Sequence, residues 1–498
     1  MRKCFVLALF LSAAFVAGRF FKELPVTAEG HGSGLTRAGS GDVNRDGKLD
    51  ISDAICILTY LFQDSSTPCF ADEGGFTSEE LDLLKDILSH MSLESLEDGI
   101  GGQAKTLRFT GLNLQLVNGL GATNGNPADP ATLAAAVNGL GNLIIGYQES
   151  RATLPDPLPD KRNGSHNVIV GSYHNYTGLG GMVAGTKNEI QGYYASVSGG
   201  TENSARGHHS TVGGGVRNQA TGFCSSVSGG FGNEASASSS SVSGGSGNKA
   251  AGDSSSVTGG VVNMAFGQGS SVAGGENNEA RGDFSTVAAG YDNLASGKWS
   301  SVLGGGSFQS LGLHRGNQST GDLSVVLGGV GNTASGQGSS VAGGGNNVAE
   351  GLFSTVAGGG SIDLMGGNKA SGKFSAVGGG RDNSASGEAS SVSGGEQNQA
   401  TGIYASVMGG TFNTADGRWS SVGGGEGGRA IGTASSIAGG RDNGATELYS
   451  TVGGGRQNTA SGDSASIAGG FNNTASGGLS SISGSCSISM GDSCGQAP

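Results

Sequence analysis

Proline is scarce, eight residues in 498, which excludes collagen and proline-rich spacers even though glycine reaches 100. Charged residues make up only 13% and aromatic residues 6%, so the chain has neither the charge of a disordered tail nor the bulk of an ordinary enzyme core. Lys and Arg number 27 against 40 Asp and Glu, a net charge of −13. The clustered cations that neutralise phosphates are missing, and no nucleic-acid partner is expected. No apolar run reaches the roughly 20 residues that span a bilayer, so no membrane span is expected. The seven histidines are scattered, no spacing of His, Cys and carboxylates suits a catalytic metal, and no nucleophile stands with a base. Lysines after glycine, as in Ser371-Gly372-Lys373-Phe374, lack the Ser or Thr of a phosphate loop. The expectation is a protein that is not an enzyme and has no catalytic residues.

What is present begins with an export signal. Arg2 and Lys3 precede an apolar run from Cys4 to Val16, and Val16-Ala17-Gly18 offers a small-residue cleavage site. Residues 1–18 are read as a signal peptide and the product as secreted, extracellular or at the cell surface. Five of the six cysteines would remain, Cys56 with Cys69 and Cys486 with Cys494 pairing by proximity and Cys224 left over.

Between Asp42 and Asp53 oxygen donors fall at loop positions 1, 3, 5, 9 and 12, with Gly47 at the sharp turn of position 6. A hard cation takes six to eight oxygens, and Asp42, Asn44, Asp46 and Asp53 can converge on one point. Lys48 supplies its backbone carbonyl and Asp50 acts through water, so Ca2+ is the expected cofactor. Ala54, Ile55, Ile57, Leu58, Leu61 and Phe62 form the apolar face of a following helix. This segment, residues 38–63 of a module placed at 38–70, resembles a dockerin repeat, present once here. The resemblance implies a small α-helical module that docks through calcium, with a cohesin-like protein as partner; a site that merely folds the module is the alternative.

Residues 76–160 read as an adapter. Leu81, Leu84, Leu88 and Met91 share one helical face between Thr77 and Leu96, behind the capped start Thr77-Ser78-Glu79-Glu80. Leu107 and Phe109, then Leu112, Leu114 and Leu116, alternate as strands do, and Asn-Gly-Leu-Gly units stand at 118–121 and 138–141.

From Val168 to Ile482 one pattern dominates, Val-x-Gly-Gly-x-x-Asn-x-Ala-x-Gly-x-x-Ser-Ser/Thr, with a period of fifteen. Val168 and Val183 open a column that continues through Val197 and Val212 to Ile482, twenty-one turns with one step of fourteen, one of twenty-four and one of twenty-one. Each unit holds two short alternating stretches joined by glycine-rich turns, which makes residues 165–485 an all-β parallel β-solenoid, or β-roll, of 15-residue coils, with 486–498 as a carboxy-terminal cap. The first Ser, Val and first Gly face inward on one stretch, and Asn, Ala and the last Gly on the other. Stacked asparagines, as at Asn203, Asn218 and Asn233, can hydrogen-bond from coil to coil. One Val and one Ala per coil are too little apolar mass to offset the ordering of fifteen residues, so a homo-oligomer is expected.

The repeat Ser-Val-x-Gly-Gly-x-x-Asn-x-Ala-x-Gly closely resembles the head repeats of trimeric autotransporter adhesins, the YadA-like or hemagglutinin family. The resemblance implies a left-handed roll, a homotrimer of side-by-side chains, and attachment to surfaces or matrix. It departs from the family in its Val-x-Gly-Gly core.

Two outer columns are candidates for binding. The two positions between Gly-Gly and Asn accept the long insertions, Gly304 to Gly316 and Gly358 to Gly367, and collect charge such as Glu202, Arg217 and Glu396, which marks a solvated edge. Three residues before the core Val stand Tyr194, His209, Phe284, Trp299, Phe353, Phe374, Tyr404, Trp419 and Tyr449, pointing outward by alternation. This stripe suits a glycan or matrix ligand, or else a seam between protomers. The functions in view are a secreted or cell-surface structural adhesin, a dockerin-linked non-catalytic component of a polysaccharide-associated assembly, and an ice- or mineral-binding solenoid.

Overall fold

The structure, a computed structural model, describes residues 78–97, 103–132, 136–155, 159–308, 314–361 and 366–497. The signal segment, the Asp42–Asp53 loop, Cys56 and Cys69 lie outside the described residues. The chain divides into two units, Met1–Gln115 and Leu116–Pro498.

In the first unit helix α1 (Ser78–Ser89) is followed by strands β1 (Met91–Glu97) and β2 (Gln103–Phe109), paired antiparallel with Met91 opposite Phe109 and Leu93 opposite Leu107. The helix therefore stops before Met91, expected on its face. Met91, Leu93 and Ser95 alternate with Ser92, Glu94 and Leu96, and the cross-strand partners hold that stretch extended. His90 marks the junction: its Nδ1 lies 2.7 Å from the Thr110 carbonyl, and the Thr110 N–H donates to the His90 carbonyl at 2.8 Å. Leu112, Leu114 and Leu116 alternate too, yet they form no strand and are exposed.

The second unit is a parallel β-solenoid. One sheet runs through Leu143–Ile145, Val168–Ser172 and Met182–Thr186, continues in two-residue strands from Ser196–Val197 to Ser481–Ile482, and ends with Gln496–Ala497. The other runs from Asn175–Tyr176 to Ser489–Met490. Each strand pairs in parallel with its equivalents one coil before and one coil after, as Val212 does with Val197 and Val227. Between the sheets lie a column of Val and Ile and a column of Ala, nearly all with 0–1% of their surface exposed. Larger residues, Tyr176 and Ile190, close the Ala column at its amino-terminal end.

The first core residue is Ile169, fully buried, and not Val168, which is 38% exposed. Ile169 pairs with Val183 and Ile144, so the opening steps of the column differ from fifteen. A shift of one residue exchanges the two faces of a strand. The Asn-Gly-Leu-Gly units are stacked turns, with Asn138 Nδ2 donating to the Asn118 carbonyl at 2.7 Å and each Asn Oδ1 accepting the N–H two residues on.

Asparagine joins one coil to the next. Asn203 Oδ1 accepts the backbone N–H of Asn218 at 2.9 Å, while its Nδ2 donates to the carbonyls of Gly199, at 3.1 Å, and Gly215, at 2.9 Å. The amide thus satisfies three backbone groups, two of them in the following coil. Direct amide-to-amide bonds supplement this at Asn278, Asn293, Asn458 and Asn473. Glycine meets two needs that recur from coil to coil: Gly215 has φ +83°, and a side chain on Gly207 would strike the Gly222 carbonyl of the next coil, a position that Ala237 and Glu447 fill in two other coils. The first glycine of the Gly-Gly pair is different. It does not face the core as expected, because a Cβ on Gly214 would meet nothing within 4 Å.

Candidate functional site

Each coil presents two outer sheet faces and two corners. The corner that precedes the buried Ser contains a residue in the left-handed backbone region, and all the aromatic residues singled out for binding occupy it: Tyr194, Phe284, Trp299, Phe353, Phe374, Tyr404, Trp419 and Tyr449, with φ between +52° and +59°. They are 38–59% exposed. Bulky L-residues are uncommon in this region, and holding them there is costly. His209 and Cys224 share the column, as do Leu323 and Leu479, exposed apolar residues that the aromatic pattern missed and that only their place in the period reveals.

The rings stack along the solenoid. Phe284 and Trp299 have centroids 4.2 Å apart at 11°, Phe353 and Phe374 5.8 Å at 4°, Tyr404 and Trp419 6.2 Å at 12°, and Tyr194 and His209 5.3 Å at 19°. Each run starts above a small residue. Rings of Tyr194, Phe284 and Phe353 lie back over Gly180, Gly269 and Gly338, where a Cβ would come within about 3 Å of them, and Tyr404 and Tyr449 follow Ala389 and Ala434. The Arg418 guanidinium sits 3.9 Å from the Trp419 ring and Lys373 Nζ 5.0 Å from Phe374. Neighbours therefore cover much of the ring faces, and a partner would meet edges, aliphatic carbons and flanking charge. Asp283 and Asp322 add a second use of this corner, their Oδ1 atoms accepting the N–H of Gln268 at 3.1 Å and of Lys298 at 2.9 Å in the preceding coil.

The opposite corner carries the charged positions and both insertions, one of which begins and ends as a small hairpin, Ser307–Phe308 with His314–Arg315. Its charges pair from coil to coil: Glu202 meets Arg217 at 2.7 Å and Lys187 at 3.8 Å, and Arg381 meets Glu396. The Arg217 hydrogen bond holds the Glu202 carboxyl below its usual range.

The two sheet faces are unlike. On the first sheet, the residue before the core Val is Ser or Thr from Ser196 to Ser481 except at Val325 and Ala376, and the residue after it is Ser, Thr, Ala or Gly except at Leu303, Leu327 and Met408. No charged residue occurs in either column. Toward its amino-terminal end this face becomes apolar, with Leu143, Val168 and Met182 in register beside Ile145, all 38–55% exposed. Near its other end it holds a shallow trough of about 300 Å³ between small residues such as Ser436, Ala438, Ser466 and Ala468. The second sheet bears Glu189, Arg206, Glu234, Lys249, Glu350 and Lys369 on its outer columns.

Cys486 and Cys494 do not pair. Both are free and exposed, Cys486 beside Phe471 at the charged corner and Cys494 in the left-handed column of the aromatic one; Cys224 is also free. The calcium ligands expected at Asp42, Asn44, Asp46, Lys48, Asp50 and Asp53 lie outside the described residues. Among the described residues no group of three or more His, Cys, Asp and Glu is placed to hold a metal ion, and no helix is long and apolar enough to cross a membrane. Searched against models of protein families and against curated proteins, the chain matches none.

Proposed function

We propose that this chain is a secreted or cell-surface, non-catalytic adhesin-like protein, whose working form is three copies side by side and whose aromatic corner holds surfaces, matrix or glycans. The sorting of the outer columns carries the reading. An uncharged face of small residues runs the length of the solenoid, begins in exposed Leu, Ile, Val and Met, and has glycines such as Gly214, Gly229 and Gly244 where nothing in the same chain excludes a side chain. Close approach of another backbone accounts for all three properties. Some twenty rungs at about 4.8 Å, each about 10 Å wide, offer on the order of 1,000 Å² per chain, above the roughly 800 Å² per partner of a stable interface. In this reading the seam is the first-sheet face, which leaves the aromatic corner free to adhere. The similarity to YadA-like heads supplies the left-handed roll and the number of chains.

Calcium held by Asp42, Asn44, Asp46, Lys48, Asp50 and Asp53 would fold the amino-terminal module. That loop also favours a second reading, a dockerin-linked component of a polysaccharide-associated assembly, which capture by a cohesin-like domain, lost with chelator, would establish. The first reading is tested by light scattering and by glycan and matrix arrays. The expected mass is three chains, and Trp299→Ala with Trp419→Ala keeps that mass and loses binding. A single-chain mass, or full binding by the double variant, overturns it.

A further inference from the structure

The aromatic corner is two columns wide, the left-handed position and the residue before it, and it changes character from coil to coil. Around the point midway between the coils of Gly338 and Phe353 the changes are ordered. Counting outward, the coils carrying Leu323 and Phe374 are equivalent, then those carrying Trp299 and Ala389, then those carrying Phe284 and Tyr404; the strand register makes all of these successive rungs despite the insertions. In the companion column the equivalent pairs are neutral Gln337 with Leu352, then Asp322 with Lys373, then Lys298 with Glu388.

From this pattern we propose that the partner taken by the corner is a second copy of the same corner, running antiparallel about a twofold axis through that midpoint. This rests on reading the corner as the adhesive surface and names what it adheres to. Such a contact is isologous, so every complementary pair occurs twice. The Phe353 ring of each chain leans back over its own Gly338, toward the axis, so the two rings come together there, and each Trp299 faces Ala389, apolar against apolar in both rows. Lys298 meets Glu388 and Asp322 meets Lys373, opposite signs in both rows and no like charges. Sliding one copy by a single coil destroys this, setting Lys298 against Lys373 in one direction and Asp322 against Glu388 in the other, so the charges select one register.

Local geometry supports availability. Trp299, Leu323, Phe353, Phe374 and Tyr404 are each 50–53% exposed, a half-covered apolar ridge of about 29 Å at the usual strand spacing. Among the described residues Lys298, Asp322, Lys373 and Glu388 take part in no ion pair with another side chain of the chain, and the Lys298 backbone N–H anchors the Asp322 carboxylate at the ridge. The insertions leave from the opposite corner and do not enter the contact.

Sedimentation equilibrium of the full chain tests the proposal. The expected result is a concentration-dependent doubling of the basal assembly, whatever its size, that weakens as salt is raised. Lys298→Glu and Glu388→Lys should each weaken the doubling about tenfold or more, and the two together should restore it, because exchanging the signs rebuilds both pairs. Phe353→Asp should abolish it while leaving the basal mass unchanged. Absence of doubling, or a charge-exchanged chain no better than the single variants, overturns the proposal. If doubling is absent while Trp299→Ala with Trp419→Ala still costs binding on the arrays, the corner remains adhesive and only its homotypic partner is wrong.

Discussion

The two sheets of the solenoid share one interior and differ outside. Inside, both columns are small and apolar and both are sealed, Val212 at 0% exposure and Ala220 at 0%. Outside, one sheet shows Ser, Thr, Ala and Gly without a charge, while the other lays Arg206 on Glu189 at 3.3 Å and Lys249 on Glu234 at 2.9 Å, as a water-facing sheet can. Packing within a coil does not demand this asymmetry, since either face would close over the same core. The lesson is that the outer residues answer to something beyond the chain's own fold, and in a different way on each side.

Placing charge on each face is the strongest way to break the contrast. Ser241→Arg with Ser256→Arg on the first sheet should dissociate the proposed assembly to single chains, whereas Ser236→Arg with Ala251→Arg on the second should leave its mass unchanged, both read by light scattering. Equal behaviour of the two pairs would remove the distinction. A smaller effect is expected inside, where the faces meet: Asn263→Ala removes four hydrogen bonds, two accepted by Oδ1 from the backbone N–H and the Nδ2 of Asn278 and two donated by Nδ2 to the Gly259 and Gly275 carbonyls, costing about 4 kcal/mol at roughly 1 kcal/mol per bond. Hydrogen exchange of the surrounding amides reads this directly. Gly428, which takes the Asn place in its coil, gives the converse test, and Gly428→Asn should slow exchange there.

A pH dependence follows at the amino-terminal end of the same column. His174 occupies the position of Asn, its Nδ1 3.3 Å from the Asn188 N–H and its Nε2 2.9 Å from the Val170 carbonyl. Burial lowers its pKa below the ordinary 6.5. The folded chain thus favours the neutral ring, so this contribution is complete above about pH 6.5 and is lost as pH falls toward the folded value. Melting of the first coils should become acid-sensitive in that window, and His174→Asn should remove the sensitivity. The smallest effect belongs to the exposed corner: Arg217→Ala should cost under about 1 kcal/mol in thermal melts, as surface ion pairs do.

Much of this architecture can be read from the period alone. Fifteen-residue spacing places the Val, Ala and Asn columns and both corners, because a solenoid repeats its environment at every turn. The misplacements occur where the repeat is irregular or absent. Val168-Ile169-Val170 is apolar on both faces, so alternation cannot choose which residue turns inward, and only pairing with Val183 decides. Met91 lies where helical and alternating patterns overlap. Cys486 and Cys494 are close in sequence, yet eight residues is about half a coil, which carries the chain from one corner to the other. The uncharged face was present in the sequence, but it is a pattern of omissions spread over three hundred residues and emerges only when the rungs are aligned.

The asparagine column has one more consequence. Because each amide reaches only its own coil and the adjoining ones, removing fifteen residues in frame lets the next asparagine drop into the vacated place with the same bonds on either side. Length is then a quantity that duplication or deletion can adjust in steps of one layer, about 5 Å at a time, and a gene of this kind can lengthen or shorten its product's reach without redesigning any part of it.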